Sequence, residues 1–264
     1  MMASYRQFAT VYDRLMENMP YADWLRFART IWSEHGEMPH SVVDLGCGTG
    51  NISIPLAKSG FHVYAIDLSA DMLTIGRGKW DETPQRAARL GSGSIRWLQQ
   101  DMREWELPEQ VDTVISFCDC LNYLTEEDDV EAAFRATYQG LRPGGVFLFD
   151  VLPPTQLQRY VEQQPFTLDE RDVAYIWTCE LDTTLNEIEH ALTIFARDEQ
   201  DALGRFVRIE ETHVERAYDT DWLVSSLLRA GFSRVDRFAD FSTVPLKGEA
   251  PEEAERLFFA AYKK

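Results

Sequence analysis

The sequence predicts an α/β fold: a mostly parallel sheet with helices on both faces, interrupted once by a small inserted antiparallel sheet. Three observations carry this. Strand-like and helix-like segments alternate strictly from residue 41 to residue 151, one of the strands runs into a cluster of glycines, and from Phe166 to Arg216 helical spacing gives way to two-residue alternation. The economical division is one α/β domain over 1–152 and 217–264, with 153–216 inserted as an antiparallel subdomain.

Taken in order, Phe8, Tyr12, Leu15 and Met16, then Trp24, Phe27, Ala28 and Ile31, recur at helical spacing, with Pro20 separating two helices. "SVVDLG" reads as a buried strand. Asn51 to Ser59 reads as a short helix that tolerates Pro55 only in its first turn. "FHVYAIDL" is a second strand, and Ser69 caps a helix expected to reach about Leu90. "SIRWLQQD" and "VDTVISF" are the third and fourth strands. "EDDVEAAFRATYQGL" is an amphipathic helix with acids at its N-terminal end, ended by "RPGG" before a fifth strand, "VFLFDV". Leu152 to Pro154 end that strand and turn the chain into the insertion. There "VAYIWTCEL", "EIEHALTIFA" and "RFVRIEETHVER" alternate as three or four antiparallel strands. A helix over "DTDWLVSSLLRAGF", capped by Asp219 or Thr220 and stopped by Gly231, leads to two closing strands.

Composition narrows the function classes. The chain of 264 residues carries 44 acids against 26 lysines and arginines, a net −18, so its average field repels phosphate backbones and anionic membranes. The densest basic run, "GRGKW" to "PQRAARLG", reads as a solvated helix face. No apolar run is long enough for a bilayer core of about 30 Å, and the first residues lack an apolar core with a cleavage site. A soluble, unexported, cytoplasmic protein is expected. The four cysteines (Cys47, Cys118, Cys120, Cys179) lack the spacing of a disulfide framework, and "CDC" has no second Cys/His pair to close a zinc site, so no metal is expected.

The glycine loop of "VVDLGCGTGN" admits several ligands. A P-loop would end in Gly-Lys-Ser/Thr, whereas Asn51 and Ile52 follow Gly50; a dinucleotide loop would want its third glycine at position 51. Asp44 beside the loop repels a pyrophosphate and suits an ammonium and a sulfonium. Asp67, ending the second strand, is placed for two ribose hydroxyls, and Asp101 for an adenine amine, with the backbone N–H of Met102 for a ring nitrogen. Three acids at the carboxyl ends of three successive strands describe a nucleoside with a positively charged tail.

At this point the sequence resembles the class I S-adenosylmethionine-dependent methyltransferases, through "VVDLGCGTGNISIPLA", "VYAIDLSADML", "LQQDMREW", "VDTVISFCDCLNYL" and "LRPGGVFLFDV" in the family's order. "YRQFATVYDRLM", the insertion and "ETHVERAY" look like a bacterial small-molecule branch that includes sugar-amine N-methyltransferases. The resemblance implies a Rossmann-like seven-stranded sheet whose last strand is antiparallel, and S-adenosylmethionine (SAM) as cofactor, leaving S-adenosylhomocysteine (SAH). By position it implies that Asp44, Gly46, Cys47, Gly48 and Gly50 hold the methionine portion and Asp67 and Leu68 the ribose. Met72 would pack on the adenine, Asp101 and Met102 read its edge, Phe117 and Cys118 flank the methionyl chain, and Tyr5 and Tyr12 cover the site.

Acceptor residues are harder to assign. His213 shares one face of its strand with Val207, Ile209 and Glu211, an awkward mix for plain packing, and is a candidate base lining the acceptor pocket. Asp119 is a second candidate, as base or as attractor of a cationic amine, while Tyr123 and Trp177 are expected as acceptor-wall aromatics. "FCDCLNY" stands where methyltransferases of nucleobases and glutamine amides usually carry Asn/Asp-Pro-Pro-Tyr/Phe, which argues against those substrates. The expectation is methyl transfer to N or O of a small metabolite by a monomer or homodimer, with no membrane partner. An RNA or protein methyltransferase, or a non-catalytic SAM- or SAH-binding protein, are the alternatives; the charge disfavours a nucleic-acid partner.

Overall fold

The computed structural model of the chain describes every residue except 1, 37, 83–92, 199, 200, 202 and 250, and the side chains from Phe8 onward. Helices α1 (Met2–Leu15) and α2 (Tyr21–His35) precede strand β1 (Ser41–Leu45). There follow α3 (Ser53–Lys58), β2 (His62–Asp67), α4 (Ala70–Asp81), β3 (Ser94–Gln99) and β4 (Val111–Ser116). A 3-10 turn at Cys120–Tyr123 leads to α5 (Glu127–Gly140) and β5 (Leu141–Val151). The insertion holds α6 (Pro154–Gln163), β6 (Phe166–Asp169), β7 (Val173–Asp182), β8 (Glu187–Arg197) and β9 (Phe206–Arg216). Helix α7 (Thr220–Ala230), β10 (Arg234–Ala239) and β11 (Leu257–Tyr262) complete the chain.

Two sheets result. The larger has seven strands in the order β10-β11-β5-β4-β1-β2-β3. β11 is antiparallel to both its neighbours, and the pairs among β1 to β5 are parallel. This is the Rossmann-like seven-stranded sheet with its last strand reversed. The smaller sheet is four-stranded and antiparallel, ordered β6-β7-β8-β9.

Parallel strands covered on both faces must be apolar on both, and successive side chains divide between two cores. Val43, Leu45, Phe147, Phe149 and Phe259 face one core with Phe134 of α5 and Leu223 and Leu227 of α7. Val42, Val146, Leu148 and Phe258 face the other, with Trp24, Phe27, Ile31 and Trp32 of α2 and Leu56 of α3. The helices start where capping chemistry allows. Ser69 Oγ accepts from Met72 N at 3.3 Å for α4, and Asp219 Oδ1 accepts from Trp222 N at 2.9 Å for α7, which settles the cap on Asp219. Gly231, left-handed at φ 117°, closes α7.

Three local expectations change. α4 is described only to Asp81, so the stretch to Leu90 and the basic run "PQRAARLG" lie outside the described residues. β5 begins at Leu141 rather than Val146, because Leu141 already pairs with Val111 of β4 and Gly144 N donates to Lys263 O at 3.0 Å beside the end of β11. Pro154 does more than redirect the chain: it opens α6, where a missing N–H costs nothing.

Candidate active site

The strand order reverses between β1 and β4, so the loops leaving these two strands part and leave a crevice at their carboxyl ends. The loop after β1 needs its glycines for different reasons. All three have positive φ (74°, 52° and 81° at Gly46, Gly48 and Gly50). A Cβ at Gly46 would meet Cys120 Sγ at 2.6 Å, and one at Gly50 would meet the Trp97 ring at 2.5 Å, so both permit close packing from behind. At Gly48 the nearest atom would be a Tyr12 ring carbon 4.0 Å away. Gly48 is therefore less crowded than its neighbours, with room for a Cβ in ordinary contact with the Tyr12 ring, and the loop forms a cradle roofed by α1.

Carboxylates surround this cradle. Asp44 is 2% exposed; Ser53 Oγ donates to its Oδ2 at 2.6 Å, yet burial pushes its pKa up to about 7. Asp67 accepts Gly48 N on Oδ2 and Ser69 N on Oδ1, both at 2.8 Å, and burial raises it too. Each Asp67 oxygen keeps a second lone pair for a ligand hydroxyl. Leu68 is exposed beside it, and Met72 is buried near Phe8 under α1. Cys47 is buried against the α2 core, and the Met102 side chain lies behind Gly46. Asp101 does not present a bare carboxylate: Arg103 donates to it from Nε at 2.9 Å and Nη2 at 2.6 Å, which lowers its pKa. Phe117 is buried, and Cys118 N donates to Asp150 Oδ1 at 2.9 Å. Tyr5 falls among the side chains outside the described residues.

Two features here escape sequence reading. Asp13 of α1 binds the glycine loop: Thr49 Oγ1 donates to its Oδ1 at 2.5 Å, Asn51 Nδ2 at 3.0 Å, and Lys79 Nζ of α4 reaches its Oδ2 at 2.7 Å. The helical pattern of α1 shows Asp13 only as a polar face. The second is Arg256, which bonds Asp150 and pairs with Asp119 Oδ1 at 2.7 Å. Asp119 is therefore held by a guanidinium rather than standing as a bare base, in a left-handed backbone at φ 55°. Its backbone N–H also donates to Asp150 Oδ2 at 3.2 Å.

The inner face of the insertion sheet closes the far side. Along β9, Ile209, Glu211 and Glu215 are buried and His213 is half-buried, as the alternation predicts. His213 stands directly opposite His190 of the neighbouring β8, with its ring 5.4 Å from Phe8 and 5.9 Å from Tyr123. Burial lowers both imidazoles, His190 to about 4, so both are neutral at neutral pH. Trp177 donates from Nε1 to His190 Nδ1 at 3.0 Å and packs on Phe166 and Tyr160. Tyr123, 46% exposed, stands between this sheet and the loop after β4. Glu215 was not singled out by sequence; its alternation with His213 is the signal that places it. Among the described residues no group of three or more His, Cys, Asp or Glu is arranged to hold a metal, the four cysteines are free thiols, and no helix is long and apolar enough to cross a membrane.

Known proteins share this architecture. Residues 42–145 match the methyltransferase domain family. The chain is 36% identical to a putative methyltransferase of Geobacillus sp. strain WCH70 over 98% of its own length and 100% of that protein's. It is 34% identical to the putative methyltransferase YqeM of Bacillus subtilis strain 168, over 98% and 97%. A crystal structure of an S-adenosylmethionine-dependent methyltransferase from Clostridium acetobutylicum superposes with a TM-score of 0.80 at 25% identity, covering 98% of each chain. With the glycine cradle and its carboxylates in place, the chain belongs to the S-adenosylmethionine-dependent methyltransferases.

Proposed function

We propose that the enzyme transfers the methyl group of SAM to the nitrogen of a small amine, of the amino-sugar class. The observation that carries this is charge. Between the cofactor loop and the insertion sheet, Asp119, Asp150 and Glu215 gather around one guanidinium, Arg256, so the region is net negative and draws a cation. Among similar proteins, a Streptomyces venezuelae relative, 28% identical over 52% of this chain, is a dTDP-amino-sugar N,N-dimethyltransferase, while others, 31% identical over 53% of it, are ubiquinone biosynthesis O-methyltransferases, so the charge of the site decides for nitrogen. A protein of the same fold, CalS10, is an amino pentose methyltransferase.

In this reading the cradle at Gly48 takes the methionine portion, with Gly46, Cys47 and Gly50 forming the loop. Asp44 faces the ammonium and Asp67 the ribose hydroxyls, beside Leu68. Met72, Asp101 and Met102 surround the adenine, Asp101 with its Arg103 partner attached. Tyr12, with Phe117 and Cys118, lines the methionyl chain and covers it. When bound, SAM supplies a methyl on a sulfonium: the acceptor's lone pair forms the new N–C bond while the C–S pair returns to sulfur. What the protein adds is alignment and exclusion of water. Residues 153–216 act as the acceptor-side subdomain, with Trp177 and His213 as its wall and Tyr123 facing them from the 3-10 turn, and Asp119 contributes charge rather than proton abstraction.

The test is isotopic methyl transfer from labelled SAM to a panel of amino sugars and to their hydroxyl counterparts. Incorporation into amines is expected. Incorporation into hydroxyl compounds alone would overturn the nitrogen assignment while leaving the methyltransferase intact.

A further inference from the structure

Glu215 is a buried carboxylate at 5% exposure whose Oε2 has no hydrogen-bond partner, on the inner face of β9 where it meets the turn after β4. An ionised group so placed is costly unless something cationic or a proton arrives. Its Oε1 lies 3.9 Å from His190 Nε2 of β8, and Tyr123 of the 3-10 turn packs against the same face of β9, its ring 5.9 Å from His213 two residues before Glu215, with its hydroxyl acting on the Glu215 carboxyl. Tyr123 itself is half exposed, so it joins the buried carboxylate to the open side of the site.

We propose that Tyr123 and Glu215 form a proton relay that deprotonates the acceptor's ammonium group, with Tyr123 the catalytic residue that touches nitrogen and Glu215 the positioning residue behind it. This rests on the amine reading above. The acceptor arrives as R–NH3+, drawn by the carboxylate. One N–H bond breaks and its electron pair stays on nitrogen; that proton passes to the Tyr123 oxygen while the Tyr123 proton passes to a Glu215 oxygen. Tyr123 ends as a neutral phenol, Glu215 as a neutral carboxylic acid, and the amine holds the lone pair methyl transfer needs. The proton returns to water after product leaves.

The surroundings favour this pair over His213. A neutral imidazole does not attract a cation, and burial keeps His213 neutral. The groups facing the relay are Asp119 and Arg256, Tyr160 from α6, His190 from β8, and Tyr12 and Cys120 beside Tyr123. Burial and the Asp119 charge raise the Glu215 carboxyl, with Arg256 and Tyr123 pulling the other way. A raised carboxyl is a stronger proton acceptor, as the transfer requires.

The experiment compares wild type, E215Q, E215D and Y123F on the same amino-sugar panel from pH 6.5 to 10, with SAH affinity as a check on the cofactor site. E215Q and Y123F should lose about 100-fold in kcat near pH 7, the lower end for general base catalysis, with SAH affinity unchanged and E215D partly restored. The loss should shrink as pH rises through the acceptor ammonium's own pKa, above which the amine arrives already neutral. A merely structural defect would not recover with pH. If both variants methylate amines with wild-type rates and pH profile, or lose activity equally at every pH, the relay is wrong while the amine reading stands. Should E215Q fail to fold, Y123F carries the same comparison. A wild type that methylates none of the amines removes both.

Discussion

Asp44 costs the empty protein stability and, in the reading proposed above, serves the loaded one by facing the ammonium of SAM. Its carboxyl is buried and pushed up to about 7, with Asp67 adding repulsion and Ser53 only partly offsetting it. A folded pKa above the unfolded value, about 3.9, means that the folded chain holds the extra proton. Asp44 therefore withdraws stability from the empty protein as pH rises from about 4 to 7. A bound ammonium reverses the preference, favouring the carboxylate and expelling the proton. SAM affinity should accordingly rise with pH between 5.5 and 7, by up to about tenfold per unit. Calorimetry in buffers of different ionisation enthalpy should show about one proton released at the acid end. Asp44→Asn should bind more weakly and without this slope. A flat wild-type affinity across that range would place the ammonium elsewhere.

At the scale of elements, the strands and helices of the large sheet were legible because each is an apolar run closed by its own punctuation: Gly46 after β1, Ser69 before α4, Gly231 after α7. The inward face of β9 was legible from alternation alone, though what His213 and Glu215 do there was not. What could not be read is whatever depends on two elements meeting. α6 has a hydrophobic face made mostly of Leu157, with Tyr160 and Val161 only partly covered, too thin a signal against its prolines. Asp13 is likewise unremarkable in α1 until α1 lies over the glycine loop. Its bonds to Thr49, Asn51 and Lys79 join three elements around the cradle, so Asp13→Ala should free α1 more than it unfolds the protein. The Lys79 pair is a third exposed and weak on its own, so the expected loss is about 1–2 kcal/mol, mostly from the hydroxyl and amide bonds. Amide exchange should quicken in α1 and residues 46–51 while the central strands keep their protection. Uniformly faster exchange would instead make Asp13 a determinant of global stability.

Across the whole molecule, the two ends of the large domain are joined at Arg256, which follows the insertion and α7 yet bonds to residues after β4 and within β5. Its guanidinium engages Asp119 and the wholly buried Asp150 and lies 5.2 Å from the Trp24 ring of α2, while Trp24 Nε1 donates to Asp150 Oδ1 at 2.9 Å. Neither charge is well placed without the other: burial raises the Asp150 carboxyl even with Arg256 beside it. Arg256→Met removes the cation and leaves a buried carboxylate, which should cost about 3–5 kcal/mol. Asp150→Asn should cost less, because the amide oxygen can still accept from Trp24 and Cys118 N. Combining the two removes both charges, and a neutral pair avoids most of the desolvation cost, so the double variant should be more stable than Arg256→Met alone. Urea denaturation of the four proteins measures this coupling. If the two losses simply add, the network is not a unit, and the ends of the sheet are held by packing of Phe258 and Phe259 instead.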